Sequence, residues 1–128
     1  MRLLLDTHIA LWAITDDPKL PQAARSLIMA ASNEIIVSAA SIWEISIKHS
    51  LARGDMPVSG NEALLYFQEA GYRLLSVSAE HAAYVETLPP IHADPFDRIL
   101  IAQALSEPVR LITHDALLTG YGELIMLV

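Results

Sequence analysis

The sequence predicts an α/β protein, a three-layer α/β/α sandwich built on a parallel sheet. Three observations carry that expectation. Leu3-Leu4-Leu5 is a short, unbroken apolar run, as a strand buried on both faces of a parallel sheet requires, whereas a strand with one wet face alternates. Helical stretches then alternate with further short apolar strands, the order that parallel βαβ units impose. At 128 residues, with 53% hydrophobic and 18% charged, the chain suits one domain over residues 1–128 with its own core. It is too apolar for a disordered segment.

The elements follow in order. Leu3-Leu4-Leu5 stops at Asp6-Thr7, and a helix runs from about His8 to Ile14. Asp16-Asp17-Pro18 is a turn. Pro21 to Ala31 reads as a helix with Ala24, Leu27, Ile28 and Ala31 on one face. Glu34 to Val37 is the second strand, on the strength of the β-branched Ile35-Ile36-Val37. Ser38 and Ser41 can each cap a helix reaching about Ala52, and Arg53-Gly54-Asp55 ends it with glycine at the usual stop position. Asn61 to Ala70 is a helix closed by Gly71, and Tyr72 to Val77 is the third strand. Ala79 to Leu88 is helical up to Pro89-Pro90.

The next helix is the best marked. Asp94 is its N-cap, and Pro95 takes the first helical position, where a missing N–H costs nothing. Asp97 then falls in the first turn, beside the positive end of the helix dipole. The helix ends at Glu107-Pro108. Val109 to Thr113 is the fourth strand, stopped by His114-Asp115; a helical turn follows to Gly120, and Leu124 to Val128 is the final strand.

Composition narrows the function. No apolar run approaches the length of a membrane span, and Met1-Arg2-Leu3-Leu4-Leu5 meets Asp6 too soon for a signal peptide, so a cytoplasmic location is expected. The absence of cysteine excludes disulfides, thiolate chemistry and zinc sites built on Cys. A formal charge of −7 argues against broad electrostatic capture of nucleic acid, unless divalent metals offset the acidic side chains locally. The apolar excess suggests that some hydrophobic surface is covered in an oligomer or by a partner.

The carboxylates sharpen this. In open parallel sheets, ligands bind beyond the carboxyl ends of the strands, where the strand order reverses. Asp6 directly follows the first strand and Asp115 lies two residues beyond the fourth, so neighbouring strands would open both into one crevice. Asp97 starts its helix on the same side. Glu44 is the fourth candidate, beside Ala40, Ser41, Ile47 and Lys48 on its helix. Each has a purely structural alternative: Asp6 and Asp115 as caps, Glu44 as an i,i+4 partner of Lys48, and Asp94 as the cap before Pro95. His92 and His114 are read as hydrogen-bonding groups, because neither has a second His at metal-ligand spacing. Four converging carboxylates repel unless a cation neutralises them. Oxygen-only ligands select Mg²⁺ or Mn²⁺, and two such ions can clamp a phosphodiester, one generating hydroxide and the other stabilising the leaving oxygen. Thr7 and Thr113, beside the strand ends, are placed to hydrogen-bond a carboxylate, a metal-bound water or a phosphate. No Gly-rich phosphate loop or G-x-S-x-G elbow is present.

Leu3-Leu4-Leu5-Asp6-Thr7-His8, Ser41-Ile42-Trp43-Glu44-Ile45, His92-Ala93-Asp94-Pro95-Phe96-Asp97-Arg98 through Ala102-Gln103-Ala104, and Leu111-Ile112-Thr113-His114-Asp115 closely resemble PIN-domain proteins, specifically the VapC-like toxins of bacterial toxin–antitoxin pairs. The resemblance spans nearly the whole chain. It implies a five-stranded parallel sheet in the order 3-2-1-4-5 and a Mg²⁺-dependent (or Mn²⁺-dependent) endoribonuclease. Asp6, Glu44, Asp97 and Asp115 match the family's acidic quartet, with Asp94 as an accessory acid. The resemblance also implies a homodimer and a cognate antitoxin that reaches into the active site. Two other functions suit the same residues: a metal-dependent nuclease or phosphatase acting on DNA or a phosphomonoester, and a non-catalytic RNA- or protein-binding module.

Overall fold

The computed structural model describes residues 1–52 and 56–128; the expected helix stop at Arg53-Gly54-Asp55 lies outside the described residues. Five strands, β1 (Arg2–Leu5), β2 (Glu34–Ser38), β3 (Arg73–Leu75), β4 (Arg110–Thr113) and β5 (Ile125–Leu127), form one sheet in the order β3-β2-β1-β4-β5. Every pairing is parallel. This is the architecture and strand order expected from the sequence. The chain steps outward from β1 to β3, then crosses back to lay β4 against the free side of β1. Leu4 pairs with Leu111 and Leu5 with Ile112, which brings the ends of β1 and β4 level.

Six α-helices cover the sheet: α1 (Thr7–Ile14), α2 (Gln22–Met29), α3 (Ala39–Ser50), α4 (Gly60–Glu69), α5 (Ala79–Tyr84) and α6 (Pro95–Ser106). The leucine run explains why both faces need cover. Leu3 and Leu5 point into one core with Ile9, Ile45 and Phe67 of α1, α3 and α4. Leu4, on the opposite face, packs with Ile36, Leu100, Ile101 and Leu111 in a second core closed by α6. All three leucines are fully buried, and burying each side chain contributes about 1.5–3 kcal/mol. Among the described residues, no helix is long and apolar enough to cross a membrane.

Where element ends differ from the sequence reading, the hydrogen bonds supply the reason. The third strand is only Arg73–Leu75, because its partner β2 ends at Ser38, which turns to cap α3 by accepting from the Ala40 N–H. Tyr72, expected to begin it, instead bonds through its N–H to the Phe67 carbonyl and closes α4, with Gly71 left-handed at φ 78°. The helix expected to reach Leu88 keeps α geometry only to Tyr84 and tightens to a 3₁₀ turn at Val85–Thr87. There, the Val85 carbonyl accepts both from the Leu88 N–H and from the Arg98 guanidinium. Pro21 stands just before α2 rather than inside it, and the Asn33 amide donates to the Leu27 carbonyl near that helix's other end. A six-residue 3₁₀ helix, Ala116–Tyr121, forms the turn before β5.

The N-terminus of α4 meets α3 with no room to spare. A Cβ placed on Gly60 would overlap the Ser46 side chain at both its Cβ and its hydroxyl. Gly60→Ala is therefore expected to overpack this junction and lower the unfolding free energy by about 1–3 kcal/mol, read as a lower urea midpoint with an unchanged slope.

Candidate active site

The crevice lies where β1 and β4, the two central strands on either side of the reversal, reach their carboxyl ends. Each strand runs straight into a helical turn whose first N–H groups need an acceptor, and each supplies an aspartate for it. Asp6 Oδ1 accepts from the Ile9 N–H at 2.9 Å, capping α1. Asp115 Oδ1 accepts from the Leu117 N–H at 3.0 Å, capping the 3₁₀ turn after β4. Capping therefore accounts for one oxygen of each carboxylate and leaves the other, which turns into the crevice.

Thr113 joins the two. Its hydroxyl donates to Asp6 Oδ2 at 2.5 Å and accepts from the Asp115 N–H at 3.0 Å, so one buried side chain sets the orientation of both aspartates. Asp6 is itself buried, and that desolvation pushes its carboxyl up, against the pull of the Thr113 and Ile9 hydrogen bonds.

The helix marked by Asp94-Pro95-Phe96-Asp97 begins as its sequence predicts. Asp94 caps α6 through Oδ1, accepting from the N–H groups of Phe96 and Asp97 at 2.8 and 3.3 Å, with Pro95 at the first helical position. This delivers Asp97 to the crevice. Its carboxyl is pushed up from 3.8 to about 7: partial burial is the largest cause, the neighbouring Asp94 charge adds to it, His92 opposes it, and the charges of Asp6 and Glu44 contribute further. Asp6, Glu44 and Asp97 thus sense one another electrostatically.

His92 takes the hydrogen-bonding role read from the sequence, and a central one. Its Nδ1 accepts from the Asp94 N–H at 3.0 Å, which places the proton of the neutral ring on Nε2. That Nε2 lies 3.2 Å from Asp115 Oδ2 and 3.5 Å from Asp97 Oδ2. The three residues each bring one candidate ligand atom to within 4.8 Å of the others. The loop carrying His92 is clamped from behind. The His92 N–H donates to the Tyr121 hydroxyl at 2.8 Å, and Arg98 donates to that same hydroxyl and to the carbonyls of Val85, Pro89 and His92. Arg98 and Tyr121 were not singled out in the sequence. The arginine's place directly after Asp97 is the available signal, whereas nothing local to Tyr121 marks it.

The remaining candidates have hydrogen-bonding partners of their own. Glu44 is buried on α3 and binds Lys48 at 2.6 Å through Oε2, the i,i+4 pairing its spacing allows. Thr7 is buried, and its hydroxyl donates to Ser41 at 2.9 Å, tying α1 to α3. His114 Nδ1–H donates to the Val128 carbonyl at 2.6 Å.

The donor chemistry fits a hard divalent cation. Carboxylate oxygens predominate, there is no thiolate, and the repulsion that adds to the rise at Asp97 is relieved by a positive charge placed among them. Asp6, Asp97 and Asp115 each present an oxygen not used in capping, and Glu44 has Oε1 to offer beside its bond to Lys48.

Comparison with known proteins identifies the fold and the family. Ribonuclease VapC22 of Mycobacterium tuberculosis (strain ATCC 25618 / H37Rv) is 29% identical over 122 residues, covering 93% of this chain and 91% of its own. The VapBC2 complex of Rickettsia felis, solved bound to a DNA fragment from its promoter, superposes with a TM-score of 0.72 at 19% identity, covering 100% of this chain and 98% of that one. A toxin–antitoxin complex from Klebsiella pneumoniae gives 0.68 at 15% identity, with 97% and 95% covered. At these identities the two structures speak for the fold. The PIN domain family model matches residues 3–123, from β1 past the turn that carries Asp115, and the chain belongs to the PIN domain family.

Proposed function

We propose that this chain is a Mg²⁺- or Mn²⁺-dependent endoribonuclease, the toxin of a toxin–antitoxin pair. The observation that carries the reading is the collection of acidic side chains at the β1–β4 crevice, where burial first and then the neighbouring carboxylates push Asp97 up to about 7. Membership of the PIN family and the ribonuclease relative support it.

Asp6, Asp97, Asp115 and Glu44 would hold the ion, with Asp94 and Thr113 as their positioning groups. A divalent cation there supplies a Lewis acid for the scissile phosphate and lowers the cost of deprotonating the attacking water. The chain's own contribution is orientation. Thr113 and the Ile9 N–H fix both oxygens of Asp6, so it cannot rotate away when a phosphate approaches. The His92 Nε2–H holds Asp97 and Asp115 toward one point. Lys48 compensates Glu44, which reduces the repulsion the phosphodiester must overcome.

A protein partner suits the adjoining surface. Trp43 is 63% exposed and its ring lies 5.3 Å from that of Phe96, within a groove of about 560 Å³ that Val77, Val85 and Ile99 also line. Two helices, α3 and α6, therefore present an apolar surface one residue from Glu44 and Asp97. A cognate antitoxin covering it would place a guanidinium among the carboxylates by a reach of a few ångströms, replacing coordination by planar hydrogen bonds.

Asp97→Asn, isosteric but without the charge, is expected to fold normally and to cut RNA at least a hundredfold more slowly, as is Asp6→Asn. Wild-type products should end in 5′-phosphate and 3′-hydroxyl. Cyclic phosphate ends, full activity in EDTA, or wild-type rates from both well-folded variants would refute the mechanism.

The raised Asp97 carboxyl has a stability consequence. Between pH 4 and 7, the folded protein holds a proton that the unfolded chain has released, so the folded state binds more protons and metal-free stability falls as pH rises through that window. Urea midpoints in EDTA should therefore be lower at pH 8 than at pH 5. Asp97→Asn should flatten the dependence, leaving the part due to Asp6.

A further inference from the structure

Beside the carboxylates lies a groove of about 530 Å³ from which the proposed chemistry uses only Lys48. Its walls include Thr7, His8 and Trp12 of α1, and both lysines of the sequence, Lys19 and Lys48. A shallower depression of about 290 Å³ is lined by Asp6, Asp115, His8, Trp12 and His114. His8 and Trp12 line both, so the groove is continuous with the acidic crevice. The Trp12 ring stands at this junction, 5.9 Å from the ring of His8 and 6.1 Å from that of His114.

Charge singles out the same place. Arg2, Arg25 and Arg73 are taken by Glu34 and Asp16, Lys48 by Glu44, and Arg98 by backbone carbonyls. Among the described residues, Lys19 and Arg110 are the cationic side chains without a hydrogen-bonding or acidic partner. Arg110 begins β4, at the opposite end of the sheet from the crevice. Lys19 is in the groove, where Asp17 is also present, its Oδ1 accepting from the Lys19 backbone N–H at 2.8 Å. In a chain of net charge −7, an unspent ammonium beside an indole and a phosphodiester-cleaving site is a local exception.

Resting on the ribonuclease reading, we infer that this groove is the subsite for the RNA nucleotides adjoining the scissile phosphate, with a base against the Trp12 indole and a flanking phosphate at the Lys19 ammonium. Stacking accepts any base, because every base has a π-face, and the ammonium reads only the backbone. The groove therefore grips single-stranded RNA without itself choosing a sequence. A duplex, whose bases are already stacked, gains nothing from the indole.

The sequence has two tryptophans, so Trp43→Phe leaves Trp12 as the sole indole, and adding Asp97→Asn removes cleavage. In Mg²⁺ buffer, titrating this protein with a short fluorophore-labelled single-stranded oligoadenylate should quench the indole in step with the strand's anisotropy. The same ribose–phosphate chain without bases should leave the indole unquenched. Lys19→Ala should weaken binding severalfold and reduce the slope of log affinity against log salt by about 0.7, the value for one phosphate contact on a single strand. In the otherwise wild-type enzyme, Lys19→Ala should raise KM and leave kcat unchanged. No quenching, equal quenching by the abasic chain, or a Lys19→Ala protein with unaltered affinity and salt slope would overturn the subsite. Cleavage of RNA without quenching sinks the subsite and leaves the nuclease; quenching by a protein whose wild type cuts no RNA does the reverse.

Discussion

The Thr113 hydroxyl is the point on which the crevice depends. It donates to Asp6 at the end of β1 and accepts from the backbone of Asp115 just past β4, so it joins the two strand ends that the crossover places side by side. The caps at Ile9 and Leu117 hold one oxygen of each aspartate, and Thr113 adds the bond that ties the Asp6 carboxylate to the Asp115 backbone against their mutual repulsion. With it, their separation is set by the sheet, whose register is in turn set by the buried Leu4–Leu111 and Leu5–Ile112 pairs. Core packing and the position of charge are thus one problem in this protein.

The aspartates divide their oxygens between structure and chemistry. Asp6, Asp94 and Asp115 each spend one oxygen on capping a helical turn, which stabilises that turn by about 0.5–2 kcal/mol. That hydrogen bonding favours the ionised carboxylate, while burial and mutual repulsion disfavour it. At Asp6 and Asp97 burial wins, and both are pushed up. A folded crevice that holds a proton on Asp97 near neutrality favours any cation able to displace it.

Much of this was legible in the sequence because the signals were local. An unbroken leucine run can only be buried on both faces, and Asp94-Pro95 fixes a helix start to the residue, so Asp97 falls in the first turn. Asp6 and Asp115 could be placed at strand ends, although their dual use as caps and crevice acids required the geometry. What the sequence hid was long-range. Arg98 gathers carbonyls from Val85 to His92, and Tyr121 receives both Arg98 and the His92 N–H across the fold. The partner of Thr7 was hidden for the same reason, since Ser41 lies on another helix. The third strand was overextended because the length of an edge strand is decided by its neighbour, and β2 ends at Ser38.

Every role proposed for the crevice needs the crowded carboxylates to form a cation site. A melting curve with and without Mn²⁺, for the wild type and for Asp6→Asn combined with Asp97→Asn, measures it most directly. A cation that binds only the folded state adds about 2.7 kcal/mol at a hundredfold excess over its dissociation constant. The wild type should therefore melt several degrees higher in Mn²⁺, and the double variant should melt at the same temperature in either buffer. A wild type indifferent to Mn²⁺, or a double variant that rises as far as the wild type, would contradict the claim.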